Sequence, residues 1–237
     1  MSNGHGILDT IFDQLSPVHS DGHKFVAIGA AVTLLFFFLY PPLGWLSAGI
    51  TAWIIYFFRD PQRVTPLRPG LVVSAADGKI SGIEKVVPPV ELGMGPEPRT
   101  RISTFLSVFD VHINRAPVAG RVVKSVYVPG TFVNAALDKA SEDNERRLIV
   151  IETPADGDVG VVQIAGLVAR RIVTFVEVGD AVGVGQRFGL IRFGSRVDVY
   201  LPPGKTALVS VGQRAIAGET VLADLQSVEP ERESRRA

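Results

Sequence analysis

The chain contains no cysteine. Disulfide frameworks, thiolate metal sites and cysteine nucleophiles are therefore excluded. Histidine is scarce: His5, His19 and His23 precede residue 24, and His112 is the only later imidazole. No metal centre is expected in the main part of the chain. An excess of either charge is also missing. Lys+Arg and Asp+Glu number 24 each, so a nucleic-acid partner is not expected. Finally, charge itself is absent from Phe25 to Phe58, a run of 34 residues.

That run reads as two apolar pieces, "FVAIGAAVTLLFFFLY" and "LGWLSAGITAWIIYFF", separated by Pro41 and Pro42. The proline pair should end a helix. Each piece, at ~1.5 Å per residue, would reach ~24 Å, short of a ~30 Å hydrocarbon core. A re-entrant or interfacial hairpin therefore fits better than two full spans. A single kinked span and a buried core hairpin of a soluble protein are the alternatives. Lys24 lies on one flank, with Arg59, Arg63 and Arg68 on the other. A hairpin would put both flanks on one side, and the positive-inside tendency makes that side cytoplasmic. Arg59 and Arg63 suit either this flanking role or contact with anionic headgroups.

After residue 59 short Val/Ile-rich runs alternate with Gly, Pro and Asp. A mainly β fold is expected, a barrel or sandwich of short strands behind an apolar N-terminal helical hairpin. Only residues 134–147 lack strand texture, and they read as a short helix or a surface loop. An internal repeat is present. "VEVGDAVGVGQRFGLI" (176–191) aligns with "VSVGQRAIAGETVLAD" (209–224), and "VYVPGTFVNA" (126–135) echoes both. Such a unit resembles the half-barrel of biotinyl and lipoyl domains. Neither main repeat contains the lysine a carrier would modify.

"FGSRVDVYLP" (193–202) poses a separate question. Val197, Val199 and Leu201 alternate with Asp198, Tyr200 and Pro202, the pattern of a half-buried strand. Gly194-Ser195 in front of it reads either as a turn or as a point where the chain breaks itself. Three further motifs bear on the choice: "FFRDPQRVTP" (57–66), "SAADGKI" (74–80) and "LSVFDVHINRAPVAG" (106–120). All four, in this order behind an apolar hairpin, resemble phosphatidylserine decarboxylases in their short, membrane-anchored form. The resemblance runs from about residue 20 to about residue 226.

The resemblance implies a pyruvoyl enzyme converting phosphatidylserine to phosphatidylethanolamine and carbon dioxide. Ser195 would attack the Gly194 carbonyl, and an acyl shift and elimination would break the chain there. The products would be a β chain (1–194) and an α chain (195–237) that stay together. Ser195 would become the covalent pyruvoyl cofactor, which condenses with the substrate amine as a Schiff base. No metal is implied. His112, on the family's "D-x-H" position, would be the general acid; as a residue alone it reads equally as a hydrogen-bonded turn histidine. Asp77 would orient the imidazole or assist the serine, although before Gly78 it also reads as a turn aspartate.

Two motifs depart from the family pattern, at Arg115 and at Phe193 and Arg196. Longer members carry a second histidine, assigned to self-cleavage, where this chain has Arg115, which stays protonated and cannot act as a base. Their "LGST" is "FGSR" here, and Arg196 is expected to alter how the oxyanion is held. The expected organisation is a polar segment (1–24), a membrane-associating hairpin (25–58), a β-rich catalytic domain (59–228) and a disordered tail (229–237). The implied partners are phosphatidylserine and the lipid bilayer, at the cytoplasmic side of a bacterial inner membrane, with a peripheral or monotopic attachment. A homo-oligomer is left open. A pyruvoyl decarboxylase of a soluble amino acid and a non-catalytic, membrane-anchored β-barrel adaptor are the competing functions.

Overall fold

The computed structural model describes residues 16–131, 144–154, 157–166, 171–192, 194–227, 229–230, 232 and 234–235. It divides into two compact units, before and after the Gln62–Arg63 bond.

The first unit is a pair of helices, α1 (Ser20–Leu39) and α2 (Pro41–Phe57). Tyr40 is extended between them, and the prolines occupy the first two positions of α2. A missing N–H costs nothing there, so the pair ends one helix and opens the next. At the other end His19 caps α1, its Nδ1 accepting from the Asp21 N–H. The cap draws polar Ser20–Lys24 into the helix. With 20 residues, α1 reaches ~30 Å rather than the ~24 Å read from the apolar piece alone. By length and composition it is long and apolar enough to cross a membrane. The two helices are tied by hydroxyls: Thr33 Oγ1 lies 3.0 Å from Ser47 Oγ and 3.1 Å from Thr51 Oγ1. The open end is closed by His19 N–H to Phe58 O and Asp60 N–H to Pro17 O. Both flanks of the hairpin therefore meet at one end, as its sequence predicts. Leu34, Phe38 and Trp45 are 71%, 87% and 73% exposed.

The second unit is built from thirteen strands among the described residues: β1 (Leu71–Val73), β2 (Gly78–Val86), β3 (Arg99–Leu106), β4 (Ile113–Arg115), β5 (Gly120–Val128), β6 (Arg146–Glu152), β7 (Asp158–Ala165), β8 (Arg171–Thr174), β9 (Ala181–Val182), β10 (Arg187–Arg192), β11 (Ser195–Tyr200), β12 (Arg214–Ala215) and β13 (Val221–Asp224). Eight of them form a curled antiparallel sheet in the order β12-β2-β3-β11-β7-β6-β5-β9. The pair β1-β13 and the three-stranded sheet β4-β10-β8 complete the fold. The mainly β architecture behind a helical hairpin is the one expected. Of the run read as helix or loop, residues 134–143 lie outside the described residues, and Arg146 and Arg147 open β6. The tail is described only in part; there Arg232 pairs with Glu229, whose carbonyl accepts from Thr206 Oγ1.

The sequence repeat is a structural repeat. A shift of 33 residues carries β9 onto β12 and β10 onto β13. It also carries Gly185 (φ 74°) onto Gly218 (φ 78°), a left-handed turn that suits glycine. The Gly185 N–H donates to Ala116 O, and the Gly218 N–H to Ser74 O. Val122 N–H donates to Asp180 O, and Ile80 N–H to Gln213 O. The two strand–turn–strand units thus pack on equivalent segments, "APVAGRV" (116–122) and "SAADGKI" (74–80).

β11 differs from the half-buried strand read from its alternation. All six of its residues are buried. The inward row, Ser195, Val197 and Val199, faces the main core with Leu106, Ile102 and Val161. The other row, Arg196, Asp198 and Tyr200, lies under a second apolar layer containing Leu92, Met94 and Leu148. The reason is position: β11 is central in the sheet, and Leu92 and Met94, in and just after the helical turn Val90–Leu92, share an apolar cluster with Tyr200 on its outer face. Buried charge needs a partner there, and Arg196 Nη2 bonds Asp198 Oδ2 at 3.1 Å.

Candidate active site

Ser195 begins β11, in register with Leu106 of β3 and Ala165 of β7. It is fully buried, and its Oγ has no hydrogen-bond partner among the described residues. A buried hydroxyl left unsatisfied costs about 1–3 kcal/mol. The residue before it, Gly194, has φ +65°. A Cβ there would meet only Val108 Cγ1, at 3.8 Å, so conformation rather than space selects glycine.

Both polar backbone atoms of Gly194 are held. Its carbonyl accepts from the Gly166 N–H at 3.0 Å. Its N–H donates to His112 Nε2 at 3.2 Å. His112 is 2% exposed, and its Nδ1 lies 2.9 Å from the Asp110 carbonyl. A carbonyl only accepts, so Nδ1 carries the proton and the Nε2 lone pair faces Gly194. Asp110 is fixed in turn. Its carboxylate accepts from Ser107 N–H and Oγ, at 2.8 and 2.7 Å, and pairs with Arg214. The tight turn Ser107–Asp110 after β3 thus aims the imidazole at the start of β11.

Asp77 sits at the same end of the sheet. Gly78 packs so closely on Phe105 O that a Cβ would lie 2.1 Å away, and Phe105 adjoins Leu106, the cross-strand partner of Ser195. The Asp77 carboxylate accepts from Arg63 Nη2 at 2.7 Å and from the Ala217 N–H at 2.8 Å. Its repeat equivalent is Ala119, which enters β5 as Asp77 enters β2. A carboxylate is therefore not required to make this turn.

The structure thus brings His112, Gly194 and Ser195 together and sets Asp77 at the same edge. It corrects the expectation for Arg196. Successive side chains of a strand point to opposite faces, so the Arg196 guanidinium lies on the face away from Ser195, against Asp198. Arg115, in place of the second histidine, is buried, its N–H on Ala75 O and its Nη1 on Gly185 O. Arg63, read as a flanking or headgroup cation, is the partner of Asp77. Arg59 instead stacks on the Tyr56 ring, 3.7 Å from its centroid. Sequence reading missed Gly166, whose contribution is a backbone N–H and leaves no side-chain signal. It also gave no sign of Asn144, which from within a polar run donates its Nδ2 to the Ala165 carbonyl.

A family model described as phosphatidylserine decarboxylase matches residues 50–223. A protein of Nitrobacter winogradskyi named phosphatidylserine decarboxylase proenzyme is 60% identical over 216 residues, covering 91% of this chain and 87% of that protein. One of the same name from Ruegeria pomeroyi is 60% identical over 212 residues, covering 90% of this chain and 97% of its own length. The chain belongs to the phosphatidylserine decarboxylase family.

Proposed function

We propose that this chain is a proenzyme that splits its own Gly194–Ser195 bond and then decarboxylates phosphatidylserine to phosphatidylethanolamine and carbon dioxide. One observation carries the reading: the buried Ser195 hydroxyl has no partner among the described residues and stands beside a glycine carbonyl held in a left-handed turn. Relatives named as proenzymes support it. Ser195 Oγ is the nucleophile and the Gly194 carbonyl carbon the electrophile, adjacent in one chain. His112, with Nε2 already turned to Gly194, takes the hydroxyl proton and returns it to the leaving nitrogen. Asp77, paired with Arg63 and the Ala217 N–H, adds a carboxylate at the same end of the sheet.

The β chain (1–194) and α chain (195–237) stay together, because β11 is paired along its length with β3 and β7. A pyruvoyl group formed from Ser195 would supply the carbonyl that takes the substrate amine and the electron sink for the departing carbon dioxide. The residues fit it. Leu106 and Ala165 flank the Ser195 side chain and exclude water, and His112, 3.2 Å from the Gly194 nitrogen, would be the acid for the substrate carbon.

The apolar exterior of the hairpin, with Phe38 and Trp45 outward, suits a bilayer and a lipid substrate. Lys24 and Arg59 favour the cytoplasmic side of a bacterial inner membrane. A soluble amino acid as substrate gives that exterior no purpose, and an adaptor gives none to the buried serine. Intact-mass measurement of the purified protein tests the reading. Two chains divided at Gly194–Ser195 are expected, the smaller blocked by a pyruvoyl group, with carbon dioxide released from phosphatidylserine vesicles. Ser195→Ala should remain one inactive chain; a Ser195→Ala protein that still splits at this bond overturns the mechanism.

A further inference from the structure

The peptide that donates to the Gly194 carbonyl is itself clamped. Asn144 is fully buried, and its Nδ2 donates to Ala165 O at 2.7 Å. The Ala165 N–H donates to Glu145 O at 2.9 Å, and the Gly166 N–H to Gly194 O at 3.0 Å. Ala165 C=O and Gly166 N–H belong to one planar peptide unit and point in opposite directions. Fixing the carbonyl therefore fixes the N–H. The three amides form one chain of hydrogen bonds, from Asn144 through the 165–166 peptide to the 194 carbonyl. Such chains polarise, so a donor at one end strengthens the donor at the other.

We propose that Asn144 is a positioning residue for self-cleavage, holding the Ala165–Gly166 peptide so that the Gly166 N–H receives the charge that develops on the Gly194 oxygen. The proposal rests on the reading that the chain splits at Gly194–Ser195. When Ser195 Oγ bonds to the Gly194 carbon, the carbonyl π pair moves onto the oxygen and the hydroxyl proton leaves to His112. The carbonyl then re-forms, the C–N bond breaks, and the proton goes to the Ser195 nitrogen. The product is an ester with the same atoms. Charge appears on the Gly194 oxygen only in the intermediate and its flanking transition states, and a prealigned N–H is worth most there. The bond is also a rung at the end of the β7-β11 ladder, so it is in place before any chemistry begins.

The test uses the full chain, made by cell-free translation into phosphatidylserine-containing vesicles and chased on denaturing gels at several pH values. Asn144→Leu keeps the shape and removes the donor. It should slow band conversion about 10- to 100-fold, somewhat less than loss of an oxyanion donor itself. Asn144→Asp has a signature that a packing role would not produce. In that variant the ionised carboxylate faces Ala165 O without a proton to give, whereas the protonated carboxyl donates again. Burial raises a carboxyl pKa, so the ratio of the Asn144→Asp rate to the wild-type rate should climb as pH falls, while the Asn144→Leu ratio stays flat. Division by the wild-type rate removes the pH dependence that the two chains share. Wild-type speed in Asn144→Leu, or a pH-independent Asn144→Asp ratio, overturns the proposal. Should Asn144→Leu not fold, the Asn144→Asp profile decides alone. A wild-type chain that never splits at this bond overturns the underlying reading instead.

Discussion

The Gly194 N–H donates to His112 Nε2 across 3.2 Å. With the other ring nitrogen held by Asp110 O, the imidazole is oriented, as the base proposed for self-cleavage must be. His112→Ala should therefore slow self-cleavage and abolish decarboxylation in any chain that matures, each by about 10²- to 10⁴-fold, the usual range for a general acid–base. The measurements are band conversion with time and carbon dioxide released per titrated pyruvoyl group. Wild-type turnover per pyruvoyl in matured His112→Ala would assign the proton to another group.

Asp77 has an alanine counterpart in the repeat, so its carboxylate is expected to serve the site rather than the turn. Asp77→Asn, which removes the carboxylate charge from this end of the sheet while keeping an acceptor for the Ala217 N–H, should slow self-cleavage about 10- to 100-fold. Arg63→Met, which removes the partner at 2.7 Å, should slow it less. Half-times of band conversion for the two variants and their double mutant measure the coupling. Additive effects would separate Arg63 from the role of Asp77.

Asp198 and Arg196 are both buried beneath the second apolar layer. Asp198→Ala leaves a buried guanidinium without this partner and should cost about 3–5 kcal/mol. Arg196→Met with Asp198→Leu should recover most of that loss, and the double variant should still self-cleave. Thermal melting in detergent and a denaturing gel check the two statements. Loss of cleavage in a folded double variant would return Arg196 to the site.

Burial, reinforced by Asp198 and opposed by Arg101, pushes the Tyr200 phenol from 10 up to about 12. The folded state thus favours the neutral phenol. This contribution is fully present below pH 10 and is lost as pH rises through about 12. The rise from 10 to about 12 corresponds to about 3 kcal/mol. Tyr200→Phe should flatten the alkaline arm of the stability curve over that interval, as followed by circular dichroism. An unchanged alkaline arm would show that another group controls it.

Removing residues 1–58 should release the protein from membranes while leaving self-cleavage in place, since Asp77, His112, Gly194 and Ser195 all follow. Activity on phosphatidylserine in bilayers should fall much further than activity on a short-chain soluble analogue. Assays of one preparation on both substrates give the comparison. Equal losses would mean that the hairpin supports the fold rather than the encounter with lipid.

Much of this molecule is written locally and could be read from the sequence. The uncharged run with Pro41-Pro42 defines two helices, because helix breaking depends on a few neighbouring residues. The 33-residue repeat locates two equivalent strand–turn–strand units, because each depends on its own turn glycines. The order of four motifs points to Ser195, His112 and Asp77. What the sequence could not determine depends on pairing between distant strands. The alternation in β11 identifies two faces, but only its central place in the sheet, with Leu92 and Met94 above it, buries both. The same placement turns Arg196 away from the cleavage bond. Asn144 and Gly194 are 50 residues apart in sequence and act on one another only through the 165–166 peptide between them. Hydrogen bonds of that kind carry no sequence pattern, since any residue supplies a backbone N–H, and the fold alone decides which one faces the scissile carbonyl.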